Sequence, residues 1–256
     1  MIVIPAGNPS QWTGPTGNNT YLFAGRTTAL IDGGVGNPAH LNAIEAALQG
    51  RPLDLILLTH SHTDHASGVP ALLKRWPHAM VRPTSQSLAD GEAIQAGDEV
   101  LIALHTPGHA PDHFSFLDEA KQEIYCGDLV RLGGTIVIPA NHGGDLRAYL
   151  ASLHRIRHLR PRRLWPGHGP VIEDPLRVIE EYLEHRKLRE AQVLAALRRG
   201  RSTPAEIVSD VYTSLSATLV AAASESVLAH LRKLAQEGVV EVKDNRWTVV
   251  QSHDLS

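Results

Sequence analysis

Thr59-His60-Ser61-His62-Thr63-Asp64-His65-Ala66-Ser67-Gly68 follows directly on the apolar run Leu53-Asp54-Leu55-Ile56-Leu57-Leu58. The run reads as a short, buried parallel strand. Three histidines and an aspartate within six positions therefore stand where a strand ends and a loop begins. In extended chain, residues two apart point the same way, so His60 and His62 reach one point together. Asp64 and His65 follow as the chain turns toward a helix, and they point elsewhere. One loop thus offers two ligand sets, which suits two adjacent metal ions. A low-complexity histidine tract would lack flanking periodicity. Here the strand precedes the motif and the helical run Val69 to Trp76 follows it.

The same arrangement recurs outward along the chain. Tyr21 to Ala24 and Thr28 to Ile31 read as a hairpin, the second strand ending in Asp32. Pro38 to Leu48 has helical spacing at Leu41, Ile44 and Leu48, and Val81-Arg82 is a short edge strand. Glu99 to Leu104 reads as a strand running into Pro107-Gly108-His109. Phe114 to Leu117 and Glu123 to Cys126 read as a hairpin ending in Gly127-Asp128. Leu146 to Ile156 is helical, and Arg163-Leu164-Trp165 is a last strand that ends in Pro166-Gly167-His168. In open α/β sheets, ligands bind beyond the carboxyl ends of strands. Glycine at 108, 127 and 167 lets the backbone turn toward a shared centre. His113 and His142, near these loops, are candidates for supporting the ligands or touching substrate. His40, His78, His154, His158, His185, His230 and His253 read as ordinary surface or capping residues.

The 256 residues allow one large domain, or one domain with a small one, and 43% hydrophobic content supplies a core. The net charge of −3 leaves no global footprint for nucleic acid. The single cysteine, Cys126, excludes an intrachain disulfide. Met1 to Pro5 is too short an apolar run for a signal peptide, and no stretch reaches membrane-spanning length. A cytoplasmic protein without membrane contact is the expectation.

The motifs THSHTDH, TPGHAPDH, GD and PGHGP, in that order and spacing, resemble the metallo-β-lactamase fold superfamily over roughly residues 15–175. The opening NPSQWTGPTGNNTYLF, the helix around Tyr182-Leu183-Glu184-His185-Arg186 and the C-terminal part are most similar to its lactamase-beta-2-like branch, known for single-strand endoribonuclease activity. The resemblance implies an α/β fold, a four-layer αββα sandwich with the site at one sheet edge. It implies that His60, His62 and His109 hold a first zinc, that Asp64, His65 and His168 hold a second, and that Asp128 bridges the two. Imidazole and carboxylate ligands suit zinc, with a position left open for water. Two ions about 3.5–4 Å apart share a hydroxide that attacks at neutral pH. Asp64 is expected to orient that hydroxide, and Asp32 to fix a ligand from behind. His62 stands where flavodiiron relatives place a glutamate, which argues against redox chemistry.

The C-terminal part reads as a helix from Asp174-Pro175 to Gly200, then a small domain over 201–256. Leu176, Ile179 and Leu183, and later Ala191, Leu194 and Leu197, keep helical spacing along it. Thr203-Pro204-Ala205-Glu206 is a capping box. Helices over Ser216–Ala223 and Glu225–Gln236 and a hairpin about Asp244-Asn245 complete a winged-helix pattern. Its five basic and seven acidic side chains make a poor surface for nucleic acid. Packing or joining two chains into a homo-oligomer suits it as well. All the metal-site residues precede 170, so a cut at Gly200 is expected to spare the site.

Basic density lies elsewhere. Arg147, Arg155, Arg157, Arg160, Arg162 and Arg163 occur with no acidic residue between Leu146 and Ile172, which offers a phosphate-binding rim. With the resemblance, that stretch makes hydrolysis of phosphodiesters in single-stranded RNA the first reading. Thioester hydrolysis, of the glyoxalase II or acyl-carrier type, is the alternative. A non-catalytic winged-helix regulator is a third, which the complete ligand set argues against.

Overall fold

The computed structural model describes residues 1–213 and 215–250, with side chains at all of these but 85 and 86; His253 lies outside the described residues. Two five-stranded sheets form the body. The first runs in order β1 (Ile2–Pro5), β2 (Asn19–Phe23), β3 (Ala29–Ile31), β4 (Leu55–Leu57) and β5 (Met80–Arg82). The second contains β6 (Ala93–Ala96), β7 (Glu99–His105), β8 (Phe114–Asp118), β9 (Glu123–Gly127) and β10 (Arg163–Pro166), ordered 10-9-8-7-6. β4 lies parallel to both neighbours, and β10 is parallel to β9.

Strict alternation along the strands builds the layers, because successive side chains leave opposite faces. Tyr21, Phe23, Ile31, Leu57, Leu101, Phe116 and Tyr125 meet between the sheets. Leu22, Leu30 and Ile56 point the other way, onto α1 (Pro38–Leu48) and α3 (Val69–Arg75). Leu104, Leu117, Ile124 and Leu164 face α5 (Leu146–Leu159) and α6 (Pro175–Arg198) on the far side. The result is the four-layer αββα sandwich. Both faces of each sheet are covered, so its central strands read as continuous apolar runs.

The elements the sequence passed over are short. α2 (Thr63–Ala66), α4 (Thr84–Ser87) and β6 are each four residues long, below the length at which periodicity speaks. In α1 the buried face is His40, Ile44 and Leu48, so His40 is a core residue 2% exposed rather than a surface one. His230 is likewise 2% exposed, packed beside Glu190. In α6, Val178, Ile179, Tyr182 and Arg186 face inward, whereas Leu176 is exposed.

The winged-helix unit comprises α7 (Pro204–Val211), α8 (Val220–Gln236) and the hairpin β11 (Val240–Lys243) with β12 (Arg246–Val249). Residues 216–236 do not form two helices. A 3-10 turn, Ala217–Leu219, leads into one continuous α8. Behind the strong helix formers Ala221-Ala222-Ala223, the helix runs on through Ser224, where the sequence reading placed a break. The third helix of the unit is the end of α6, whose Val193, Ala196 and Leu197 pack with Ile207, Val227, Leu231 and Trp247. Asp244 and Asn245 both take positive φ, as a tight hairpin turn requires. No helix among the described residues is long and apolar enough to cross a membrane.

Candidate metal centre

His60 and His62 enter from the loop after β4, Asp64 and His65 from α2, His109 from the loop after β7, Asp128 from the end of β9, and His168 from the end of β10. Their ligand atoms converge in three overlapping groups: His60, His62 and His109; His60, His65 and Asp128; Asp64, His65 and His168. Within each group all lie within 4.8 Å of one another. Asp128 stands between two ends of the cluster. Its Oδ1 is 3.4 Å from His65 Nε2 and 3.2 Å from His168 Nε2, while its Oδ2 is 3.6 Å from His109 Nε2. Asp64 Oδ2 is 3.6 Å from His65 Nε2 and 3.4 Å from His168 Nε2.

Three of the five rings are oriented from behind, which settles which of their nitrogens faces inward. His109 Nδ1 donates to the Val137 carbonyl at 2.8 Å, leaving Nε2 bare and 2.9 Å from His62 Nδ1. His65 Nδ1 donates to Asp32 Oδ2 at 2.7 Å. Thr59 Oγ1 donates to the same carboxylate and accepts from His60 Nδ1 at 3.0 Å. Asp32, at φ 63, also takes the Thr59 N–H at 2.8 Å. Outer partners of this kind fix the tautomer and raise the basicity of a ligating imidazole.

These residues fit a pair of metal ions. His60 Nε2, His65 Nε2 and Asp128 Oδ1 are buried without a hydrogen-bond partner among the described residues. Each such orphan costs about 1–3 kcal/mol, which a cation offsets. An ion with tetrahedral bonds of about 2.0–2.1 Å sets its ligand atoms about 3.4 Å apart, and the carboxylate–imidazole separations of 3.2–3.6 Å match that edge. Protonation states divide. Burial lowers His65 and His168, but Asp32 and Asp128 raise the first and Asp128 raises the second to about 9, so a cation would displace protons there. Burial pushes His60 well below its usual pKa, so it is a neutral donor. Burial would raise the Asp128 carboxyl, but His168 and His65 outweigh it and hold it well below the carboxylate range.

His113 supports rather than joins the cluster. Its Nε2 accepts the Asp128 N–H at 3.1 Å, and its Nδ1 bonds Thr106 Oγ1 at 2.9 Å. Burial lowers it to about 3, which keeps that acceptor neutral. His142 lies exposed on a 3-10 turn, outside the residues that line the cavity. The glycines differ in their reasons. Gly108 and Gly127 take φ 135 and 47, which L side chains rarely adopt. Gly167 does not; it is small because a Cβ there would stand 2.7 Å from both Asp128 Oδ1 and His65 Cε1.

Several supporting residues escaped the sequence reading. Asn18 Nδ2 donates to Asp64 Oδ2 at 3.1 Å, and Asn19 Nδ2 bonds the carbonyls of Pro166 and Gly169, steadying the loop of His168. Two buried asparagines at the start of a strand were the available signal. Trp12, Arg131, Thr135 and Val137 line the cavity over the cluster.

Three of the six arginines of the expected rim are ion-paired. Arg155 pairs with Asp90, Arg157 with Glu180, and Arg163 with Glu123 and Glu173. The stretch lacks acids only along the chain; the fold brings them from other elements. None of its six arginines is among the described residues that line the metal cavity.

Residues 13–87 and 81–168 match the family model of the metallo-β-lactamase superfamily, and residues 203–247 match that of the β-lactamase associated winged helix domain. An atrochrysone carboxyl ACP thioesterase of Aspergillus chevalieri is 34% identical, covering 98% of this chain and 87% of that protein. A beta-lactamase-like protein 2 homolog of Caenorhabditis elegans is 31% identical, covering 91% and 83%. The crystal structure of a metallo-beta-lactamase family protein from Thermus thermophilus superposes with a TM-score of 0.76 at 24% identity, over 97% of this chain and 98% of that one. The relatives are thioesterase- and lactamase-like by name and do not single out an endoribonuclease branch.

Proposed function

Since this chain belongs to the metallo-β-lactamase superfamily and carries its associated winged-helix domain, we propose that it hydrolyses acyl thioesters presented on a carrier, using two zinc ions. The observation that carries this reading is the 34% identity to a named ACP thioesterase across 98% of the chain. The relatives thus favour the alternative over the phosphodiester reading. Ion pairs at Arg155, Arg157 and Arg163 weaken the arginine stretch that, with the resemblance, supported the latter.

His60, His62 and His109 would hold one ion, Asp64, His65 and His168 the other, and Asp128 both. The pair would supply Lewis acidity and a water of lowered pKa. Histidine and carboxylate donors without thiolate suit zinc; the one cysteine, Cys126, is buried in the α-facing core of the second sheet. Asp64, held by Asn18 on one side and facing His168 on the other, is placed to orient the attacking water. In the reaction, the water oxygen joins the acyl carbon and the carbon–sulfur bond breaks. The products are a carboxylate, a thiol and a proton.

Thiol release from an acyl thioester and cleavage of a single-stranded RNA, measured on the same zinc-loaded protein, test the reading. The expected result is thioester turnover with kcat/KM of about 10⁴ M⁻¹ s⁻¹ or more and no RNA cleavage. RNA cleavage without thioester turnover would restore the phosphodiester reading.

A further inference from the structure

We propose that the groove between residues 131–137 and the winged-helix unit binds the acyl chain of the substrate, so that the C-terminal unit sets chain preference. This deepens the thioesterase reading and rests on it. The cavity over the metal ligands measures about 180 Å³, below the range of about 300–1,000 Å³ in which ligands of any size are seated. Trp12, Arg131, Thr135 and Val137 also line an adjoining groove of about 310 Å³, so the two spaces lie side by side against these four residues. The opposite wall comes from the winged-helix unit: Tyr212, Leu215, Leu219, Ala222 and Ala223.

The chemistry changes along this path. At the cluster the lining is imidazole and carboxylate. Beyond it the lining is mostly apolar, with Arg131 the single charged residue among the described ones. Trp12 and Leu219 are 44% and 36% exposed, large apolar surfaces that an occupant would cover. A ligand with one polar, reactive end and an apolar body fits this gradient, its carbonyl at the metal ligands and its chain along Trp12 and Leu219. A peptide or nucleic-acid occupant would need more polar or cationic groups than this lining offers. Arg131 stands at the junction; its guanidinium is tied to the Trp12 carbonyl, and its Nε is buried with no acceptor among the described residues.

The walls are braced. Tyr182 Oη donates to the Arg131 carbonyl at 3.0 Å and accepts the Arg131 N–H at 3.1 Å. Buried Arg186 donates to the Ile136 carbonyl and to Thr135 Oγ1. Tyr212 is held under the Arg189 guanidinium, 4.4 Å from its ring centroid. Glu225 of α8 accepts from the Asn141 N–H and Nδ2, both at 2.8 Å, which keeps the winged-helix wall in register with the metal domain.

The test uses acetyl and octanoyl thioesters of N-acetylcysteamine with the zinc-loaded full chain, its Leu219→Glu variant and its Trp12→Ala variant. Both side chains are exposed, so melting temperatures should match the parent. The ratio of kcat/KM for octanoyl over acetyl should fall by about tenfold or more in each variant, mostly through KM, because an apolar pocket discriminates by burial of methylenes. A ratio unmoved in both variants, with thioester turnover intact, would overturn the groove and leave the thioesterase reading standing. Turnover of neither thioester by the parent chain would overturn both.

Discussion

Asp128→Ala should purify with neither metal ion at full occupancy and should lose about a thousandfold or more in kcat. The carboxylate faces His65 and His168 through one oxygen and His109 through the other, so a single side chain serves both halves of the cluster. Metal contributes several kcal/mol to the barrier of such a hydrolysis, and each 1.36 kcal/mol is tenfold in rate. Removing Asp128 also leaves His65 and His168 crowded together without the charge that neutralises them. Elemental analysis alongside turnover makes the check, with His142→Ala as the comparison. That residue is exposed and does not line the cavity, so its variant should keep both ions. Full metal content in Asp128→Ala would show that the bridge is misassigned.

Cutting the chain after Gly200 should lower the melting temperature by about 10 °C, even though every metal-site residue lies before 170. Val193, Ala196 and Leu197 at the end of α6 are 1%, 0% and 7% exposed, covered by α7, α8 and Trp247. Baring them forfeits about 3–5 kcal/mol of apolar burial, and each kcal/mol is worth about 2–4 °C in a chain of this size. The loss reaches further, because Ala229 of α8 packs in the core of the second sheet, and Arg232 bonds the Ala140 carbonyl and Asn141 Oδ1. The cut leaves every ligand in place, so the expected cost falls on packing and not on the metal site. A differential scanning measurement on both chains decides it; equal melting temperatures would mean that the two units are energetically independent.

The candidate cluster was legible because its chemistry is local in sequence. Each ligand follows the end of a strand, and buried strands announce themselves as apolar runs such as Leu55-Ile56-Leu57. The fold class came from the resemblance carried by the motifs that end those runs. What could not be read depends on partners distant along the chain. The arginines of 147–163 look unopposed in sequence, yet Asp90, Glu123, Glu173 and Glu180 reach Arg155, Arg157 and Arg163 in space. His40 takes a core position on α1 that its polarity disguises. The alanines before Glu225 carry one helix through a position where the sequence suggested two. α6 serves both units at once, with Ile179 in the second sheet's core and Leu197 in the winged-helix core. A boundary drawn at its last residue divides a core that the fold shares.

The most direct test of a two-metal thioesterase is to strip the protein with a chelator, return zinc in known steps, and follow thiol release from octanoyl-N-acetylcysteamine. The seven ligands in overlapping groups predict no turnover in the stripped protein, and activity that rises to a plateau at two equivalents of zinc per chain. Activity that survives chelation, or a plateau at one equivalent, would contradict the account.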